Sequence, residues 1–68
     1  MKIYAKKIVS VYARVNDDSW DYRVWPSGQV EMWSVDDENV EGHWILMNET
    51  DSRYDEIRQA GLDVLEQK

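Results

Sequence analysis

The 68-residue chain contains no cysteine and no phenylalanine, and it has only one histidine, one proline and three glycines. Without cysteine it has no disulfides, thiolate metal sites or cysteine nucleophiles, and a reducing compartment is the simpler assumption. No apolar run approaches the ~20 residues that a membrane-spanning helix needs. No apolar segment follows the N-terminal lysines, so no signal peptide is predicted. We therefore expect a soluble, cytoplasmic protein with no membrane contact.

The chain is rich in large aromatic side chains. The chain has four tryptophans and four tyrosines. Its length predicts a single domain over residues 1–68, and small domains bury a smaller fraction of their surface than large ones. Each buried aromatic contributes on the order of 150–250 Å² of contact area. We expect at least two of the tryptophans in the core.

The net charge of -6 is unevenly distributed along the chain. Residues 1–15 hold four basic residues and no acid, whereas residues 16–68 hold four bases and all fourteen acids. Duplex nucleic acid requires clustered Lys and Arg, so direct binding to it is not expected. A partner protein with a basic surface complements such a chain better.

A three-residue turn fixes the register of the central hairpin. Pro26 presets φ at the first turn position, and Gly28 suits a left-handed third position. The turn pairs Trp25 with Gln29, Val24 with Val30, Arg23 with Glu31, and Tyr22 with Met32. Apolar residues then share one face, and the Arg–Glu pair lies on the other.

The remaining patterns predict an α+β fold, namely a four-stranded antiparallel β-meander followed by one C-terminal α-helix packed across one sheet face (β-β-β-β-α). The strands are expected at about 3–15, 20–25, 29–35 and 40–47, and the helix at about 52–66. A four-residue turn at 16–19 sets Arg14 opposite Asp21 and Val11 opposite Val24. Both faces of the last strand are apolar, so the sequence does not decide which face is buried.

The C-terminal segment changes to helical spacing. Its apolar residues form one stripe: Tyr54, Ile57, Gly61, Val64 and Leu65. A glycine inside a helix costs about 1 kcal/mol relative to Ala, and Gly61 is therefore expected where the helix lies close against the sheet. Ser52 begins a capping-box pattern, with Thr50 and Asp51 as alternative caps.

Two acidic turns suggest a first candidate site. In a meander, the turns at 16–19 and 36–39 lie at the same end of the sheet. Together they form an acidic pole of Asp17, Asp18, Asp36, Asp37 and Glu38. The pole is either a docking site for a basic protein or a solubilising surface. A divalent cation site is the third alternative, although neither turn has the calcium-loop pattern.

The outer sheet face suggests a second candidate site. It carries Tyr12, Arg23, Trp25 and Trp33, residue types that are enriched at the centres of protein interfaces. Cross-strand packing, with Arg23 stacked on the rings in cation–π contact, explains the same residues without a partner. The rings also suit single-stranded nucleic acid, a peptide or a glycan.

No catalytic or cofactor pattern is present. The isolated glycines make no phosphate-binding loop, and nothing places a serine beside His43, which is expected to be a strand residue. Carboxylates at a solvated end lack the burial that separates the pKa values of an acid–base pair. We expect no enzymatic activity, no cofactor and no metal.

A few scattered residues resemble the MbtH-like proteins, which bind adenylation domains of nonribosomal peptide synthetases. They are Val15-Asn16-Asp17-Asp18, Trp25-Pro26, Trp44, and Ser52-Arg53. The family's C-terminal Trp-Thr-Asp…Arg-Pro motif has no counterpart after Ile57, and an extra strand is needed near 30–35. No site residue is carried over from this family.

These observations favour a small acidic protein-binding module. It would inhibit or modulate a partner with a basic, possibly nucleic-acid-binding, surface, as an inhibitor from a virus or mobile element would. The alternatives are an aromatic-face binder of single strands, peptide or glycan, and a structural homodimer formed through Ile45 and Met47. The chain is expected to be a monomer or a homodimer.

Overall fold

The computed structural model describes residues 2–9, 11–17, 20–35 and 42–67. Within these ranges the sheet has five antiparallel strands, which lie side by side in chain order. The elements are β1 (Ile3–Val9), β2 (Tyr12–Asp17), β3 (Trp20–Val24), β4 (Val30–Ser34), β5 (His43–Leu46) and α1 (Tyr54–Glu66). The α+β class, the antiparallel meander and the C-terminal helix packed on one face are confirmed, but the strand count is five rather than four.

The additional strand comes from the segment predicted as one strand over 3–15. It is a hairpin in which Val9 pairs with Tyr12, and only two residues connect β1 to β2. Val11 lies in this turn with 55% of its surface exposed, rather than on the inner face of a strand. The register of β1 shifts between Ala5 and Ile8, which marks a bulge at the two lysines between them.

The predicted register between β2 and β3 is wrong by two residues. Ala13, not Val11, lies opposite Val24, and Asn16, not Arg14, lies opposite Asp21. The strands continue to Asp17 and resume at Trp20, so the loop is shorter than the predicted 16–19 turn. A shift of two residues keeps every side chain on its predicted face, because side chains alternate with period two.

The hairpin between β3 and β4 has the predicted register. Tyr22 pairs with Met32, Arg23 with Glu31, and Val24 with Val30. The Trp25 N–H donates to the Gln29 carbonyl at 2.9 Å, and Gly28 adopts a φ of 96°, the left-handed value that the turn requires. The residues of the turn thus fix the register of the β3–β4 hairpin, and this register can be predicted from the local sequence.

Helix α1 crosses the inner face of the sheet. Tyr54, at its start, lines a cleft with Val30 and Met47, and Val64, near its end, approaches Ile8 of β1. The predicted Ser52 capping box does not form, since no side chain caps the helix at Arg53. Instead, the Asp51 carboxylate accepts the Arg53 N–H at 2.9 Å. Among the described residues, no helix has the length and apolar character needed to span a membrane.

Gly61 lies where the helix meets the sheet, as predicted. A Cβ added there would lie 2.3 Å from Val24 Cγ2, well inside van der Waals contact. Gly61 is buried, together with Ile57 one turn earlier. The helix stripe can therefore approach β3 closely only because position 61 has no side chain.

The core consists of aliphatic residues and one tyrosine rather than tryptophan. Its buried members are Val15, Tyr22, Val24, Val30, Met47 and Ile57. The expectation of two core tryptophans is wrong, because Trp20 is 43% exposed and the other three are half-buried on the outer sheet face. Met47 is buried in this core, so it is not available for the dimer contact suggested for it with Ile45.

Candidate binding face

The outer face of the sheet gathers eight half-buried aromatic and charged side chains. We call them the aromatic face: Tyr12, Arg14, Asp21, Arg23, Trp25, Glu31, Trp33 and Trp44. On β2 and β3 these positions alternate with buried residues that face the helix. The face includes Tyr12, Arg23, Trp25 and Trp33, the four residues proposed from the sequence, and the structure brings them together.

Arg23 lies at the centre of the aromatic face. Its guanidinium carbon is 4.4 Å from the ring centroid of Trp44, 5.0 Å from that of Trp25 and 5.1 Å from that of Tyr12. Cations within about 6 Å of a ring centroid are attracted by the negative ring face. One arginine thus contacts three rings, those of Tyr12 in β2, Trp44 in β5 and Trp25 immediately after β3.

Glu31 completes this arrangement from β4. Its Oε1 accepts hydrogen bonds from Arg23 Nε and from the indole N–H of Trp25, the latter at 2.9 Å. The Trp25 hydrogen bond, followed by the bond and charge of Arg23, lowers the pKa of Glu31 despite the opposing effect of burial. The carboxylate form therefore stabilises the folded face.

A second ion pair lies beside the first. Arg14 Nη2 donates to Asp21 Oδ2 at 2.7 Å, and Asn16 donates to the other carboxylate oxygen at 3.1 Å. Burial by itself raises the pKa of Asp21, but the hydrogen bonds from Asn16 and Arg14 outweigh it and leave the pKa lowered. The Arg14 guanidinium carbon also lies 5.5 Å from the Trp44 ring centroid.

The rings contact one another in edge-to-face and tilted arrangements. Trp33 and Trp44 have centroids 5.1 Å apart at an interplanar angle of 69°, and Tyr12 and Trp25 have the same separation at 58°. Gly42 makes room for Trp33, since a Cβ there would lie 2.5 Å from the indole ring. The cross-strand packing and cation–π contacts described as an alternative above are present.

Trp44 is the functional candidate that sequence reasoning missed. Both faces of its strand are apolar, so alternation alone did not orient it. The pairing of Trp33 with Trp44 in β4 and β5 places it on the aromatic face. The sequence of the predicted 36–39 turn did not fix the register between β4 and β5, so Trp44 could not be assigned to a face.

The acidic pole is only partly described. Asp18, Asp36, Asp37 and Glu38 lie outside the described residues. Asp17 is fully buried, and its Oδ2 accepts from Arg53 Nη1 at 2.7 Å, so its carboxylate is a structural ion pair inside the fold rather than a docking group. The Asp17 side chain points inward from β2, so a partner protein cannot reach its carboxylate.

A shallow cleft opens between the 26–28 turn, the end of β5 and the start of α1. Its lining includes Gly28, Met47, Tyr54 and the opposed charges of Arg58 and Glu49. Within the described part of the chain, no three His, Asp or Glu side chains converge as a metal-ligand set. Of the two described surfaces, the aromatic face is therefore a better candidate binding site than the cleft.

Comparisons with protein-family models, with curated proteins and with solved structures find no match for this chain. The partial resemblance to the MbtH-like proteins therefore carries no argument.

Proposed function

We propose that this chain is a protein-binding module that docks a basic segment of a partner protein on the aromatic face and thereby inhibits or modulates that partner. The observation that carries the proposal is a cluster of four half-buried rings, in which those of Tyr12, Trp25 and Trp44 surround Arg23 and that of Trp33 packs against Trp44. Rigid Trp and Tyr side chains lose little conformational entropy on binding, and they dominate the centres of protein interfaces.

The charges on the face favour a protein over single-stranded nucleic acid. Each arginine is paired with a carboxylate, Arg14 with Asp21 and Arg23 with Glu31. A stacking platform for nucleic acid needs a positive groove beside its aromatics. The two pairs cancel, and the face has no excess positive charge to offer a phosphate backbone.

The acids that follow β4 in the sequence favour a basic partner. The segment 36–41 connects the strand of Trp33 to the strand of Trp44, and it contains four acids in six residues: Asp36, Asp37, Glu38 and Glu41. Arginine and lysine side chains of a partner stack favourably on indole rings and pair with nearby carboxylates. The overall charge of -6 adds long-range attraction for such a partner.

The test is affinity capture from a lysate of the source organism or its host, with three matched baits. Trp33→Ala removes a ring from the face, and Trp20→Ala removes a 43% exposed tryptophan that lies off the face. The proposal predicts a stoichiometric protein captured by the wild type and by Trp20→Ala but lost with Trp33→Ala. Equal capture by all three baits would overturn it.

A second arm examines the acidic contribution. Asp36→Asn/Asp37→Asn/Glu38→Gln should weaken binding to the captured protein, and added salt should weaken wild-type binding more steeply than binding by this variant. Capture of a glycan or a nucleic acid in place of a protein would contradict the proposal, as would a captured partner with an acidic contact surface.

A further inference from the structure

We infer that the free edge of β5 pairs with β5 of a second copy of this chain, antiparallel and centred on Ile45, so that two sheets join into one. This inference concerns self-association and is independent of the proposed partner. In the described part of the chain, β5 is the last strand of the sheet and pairs with β4 alone. An unpaired strand edge is a template for another strand.

The backbone pattern determines which groups face outward. The Met47 N–H donates to the Val30 carbonyl at 3.0 Å, which makes this a hydrogen-bonded antiparallel pair. Such pairs alternate with non-hydrogen-bonded pairs along a ladder. Ile45 and His43 therefore also direct their backbone groups toward β4, whereas Trp44 and Leu46 direct theirs toward the free edge.

Those outward groups are self-complementary about a two-fold axis. With Ile45 of both copies on the axis, Trp44 lies opposite Leu46 of the second copy, and the reverse holds on the other side. Each of the two pairs exchanges two hydrogen bonds, since the N–H and C=O of both residues point away from β4 and pair with no other described strand. The pairing also covers Leu46, which is 66% exposed, and Ile45, which is 40% exposed.

The local charges favour self-pairing at β5 and not at β1. The His43–Leu46 strand contains no Lys, Arg, Asp or Glu, so a two-fold axis brings no fixed like charges together. The opposite edge strand contains Lys6 and Lys7 at a bulge that interrupts its register. Lysines and bulges are the usual protection of an edge, and β5 has neither.

Disulfide trapping tests the register, because the chain has no cysteine of its own. On the axis, the two Ile45 Cα atoms would lie about 4.5 Å apart, within the range of a disulfide. Ile45→Cys should therefore cross-link rapidly under mild oxidation, and Leu46→Cys should cross-link slowly despite its greater exposure. Random collision predicts the reverse order, and that order would overturn the inference.

Sedimentation tests the association without oxidation. We expect a monomer–dimer equilibrium over about 1 μM–1 mM, since a contact along one short strand is small. Leu46→Pro removes an outward N–H but no bond to β4, and it should raise the dissociation constant at least tenfold. Tyr4→Lys, at an exposed site on the opposite edge, should leave it unchanged. A monomer at every concentration, or open-ended oligomers from β1–β5 pairing, would contradict the inference.

Discussion

Arg53 Nη1 lies 2.7 Å from Asp17 Oδ2, although the two residues are 36 positions apart in the chain. The same guanidinium donates from Nη2 to the Tyr22 hydroxyl at 3.2 Å, and burial raises the pKa of Tyr22. Asp17 is fully buried, whereas the Arg53 side chain is 29% exposed. This contact joins the residue that precedes α1 to the C-terminal residue of β2.

The unequal burial predicts unequal costs of substitution. Arg53→Met leaves the Asp17 carboxylate buried without its cation, and should lower the free energy of unfolding by about 3 kcal/mol or more. Asp17→Asn should cost less, about 1–2 kcal/mol, because Arg53 can turn toward water. Urea denaturation of both variants at pH 7 measures the difference.

The double variant Asp17→Asn/Arg53→Met is the control for this pair. It should be more stable than the sum of the two single losses predicts, with a coupling energy of about 1–3 kcal/mol. Strict additivity would mean that the ion pair contributes nothing to stability.

Gly61→Ala should destabilise the protein, although alanine is the better helix former. Intrinsic propensity alone predicts a gain of about 1 kcal/mol. At this position the added methyl would lie 2.3 Å from Val24 Cγ2, and overpacking of this kind typically costs about 1–3 kcal/mol. Thermal unfolding measures the change, and Gly61→Ala should cost less in a Val24→Ala background than in the wild type, because the smaller side chain relieves the contact. A rise in stability with Gly61→Ala alone would contradict the close contact.

The aromatic face should loosen at acid pH. The pKa of Glu31 is lower in the folded state than in the unfolded state. Its carboxylate therefore stabilises the folded state at pH values above about 4.3, the ordinary pKa of a glutamate. This stabilisation is lost as the pH falls through the lower folded-state pKa. Glu31→Gln should cost about 1 kcal/mol at pH 7 and progressively less below pH 4. Glu49→Gln, at an exposed acid, is the control. A cost that does not change with pH would show that the charge of Glu31 is unimportant.

The residue types in the turns determined which strand registers could be predicted from the sequence. Pro26 and Gly28 determine a short turn, so the register of β3 and β4 followed from sequence. The two-residue turn before Tyr12 lacks Gly, Asn, Asp and Pro, and the alternating pattern around it continues without a break, which is why β1 and β2 were predicted as one strand. A hairpin turn with no composition signal cannot be found from period-two alternation alone.

The candidate site was predictable where alternation was clean. Tyr12, Arg23, Trp25 and Trp33 were placed on one face because each lies in a predicted strand whose other face is apolar. Trp44 was not placed, because both faces of its strand are apolar: Leu46 shares the face of Trp44, and Ile45 lies on the other. The burial of Asp17 was also missed, since an acid beside a turn normally faces water and its distant partner Arg53 gives no local signal.

The most direct test of the proposed binding face is nuclear magnetic resonance of the ¹⁵N-labelled chain during titration with the captured partner. The four indole N–H signals report Trp20, Trp25, Trp33 and Trp44 separately. We predict that the signals of Trp25, Trp33 and Trp44 shift and that the signal of Trp20 does not. Shifts at Trp20 and along α1, with the other three indoles unchanged, would place binding elsewhere and contradict the account.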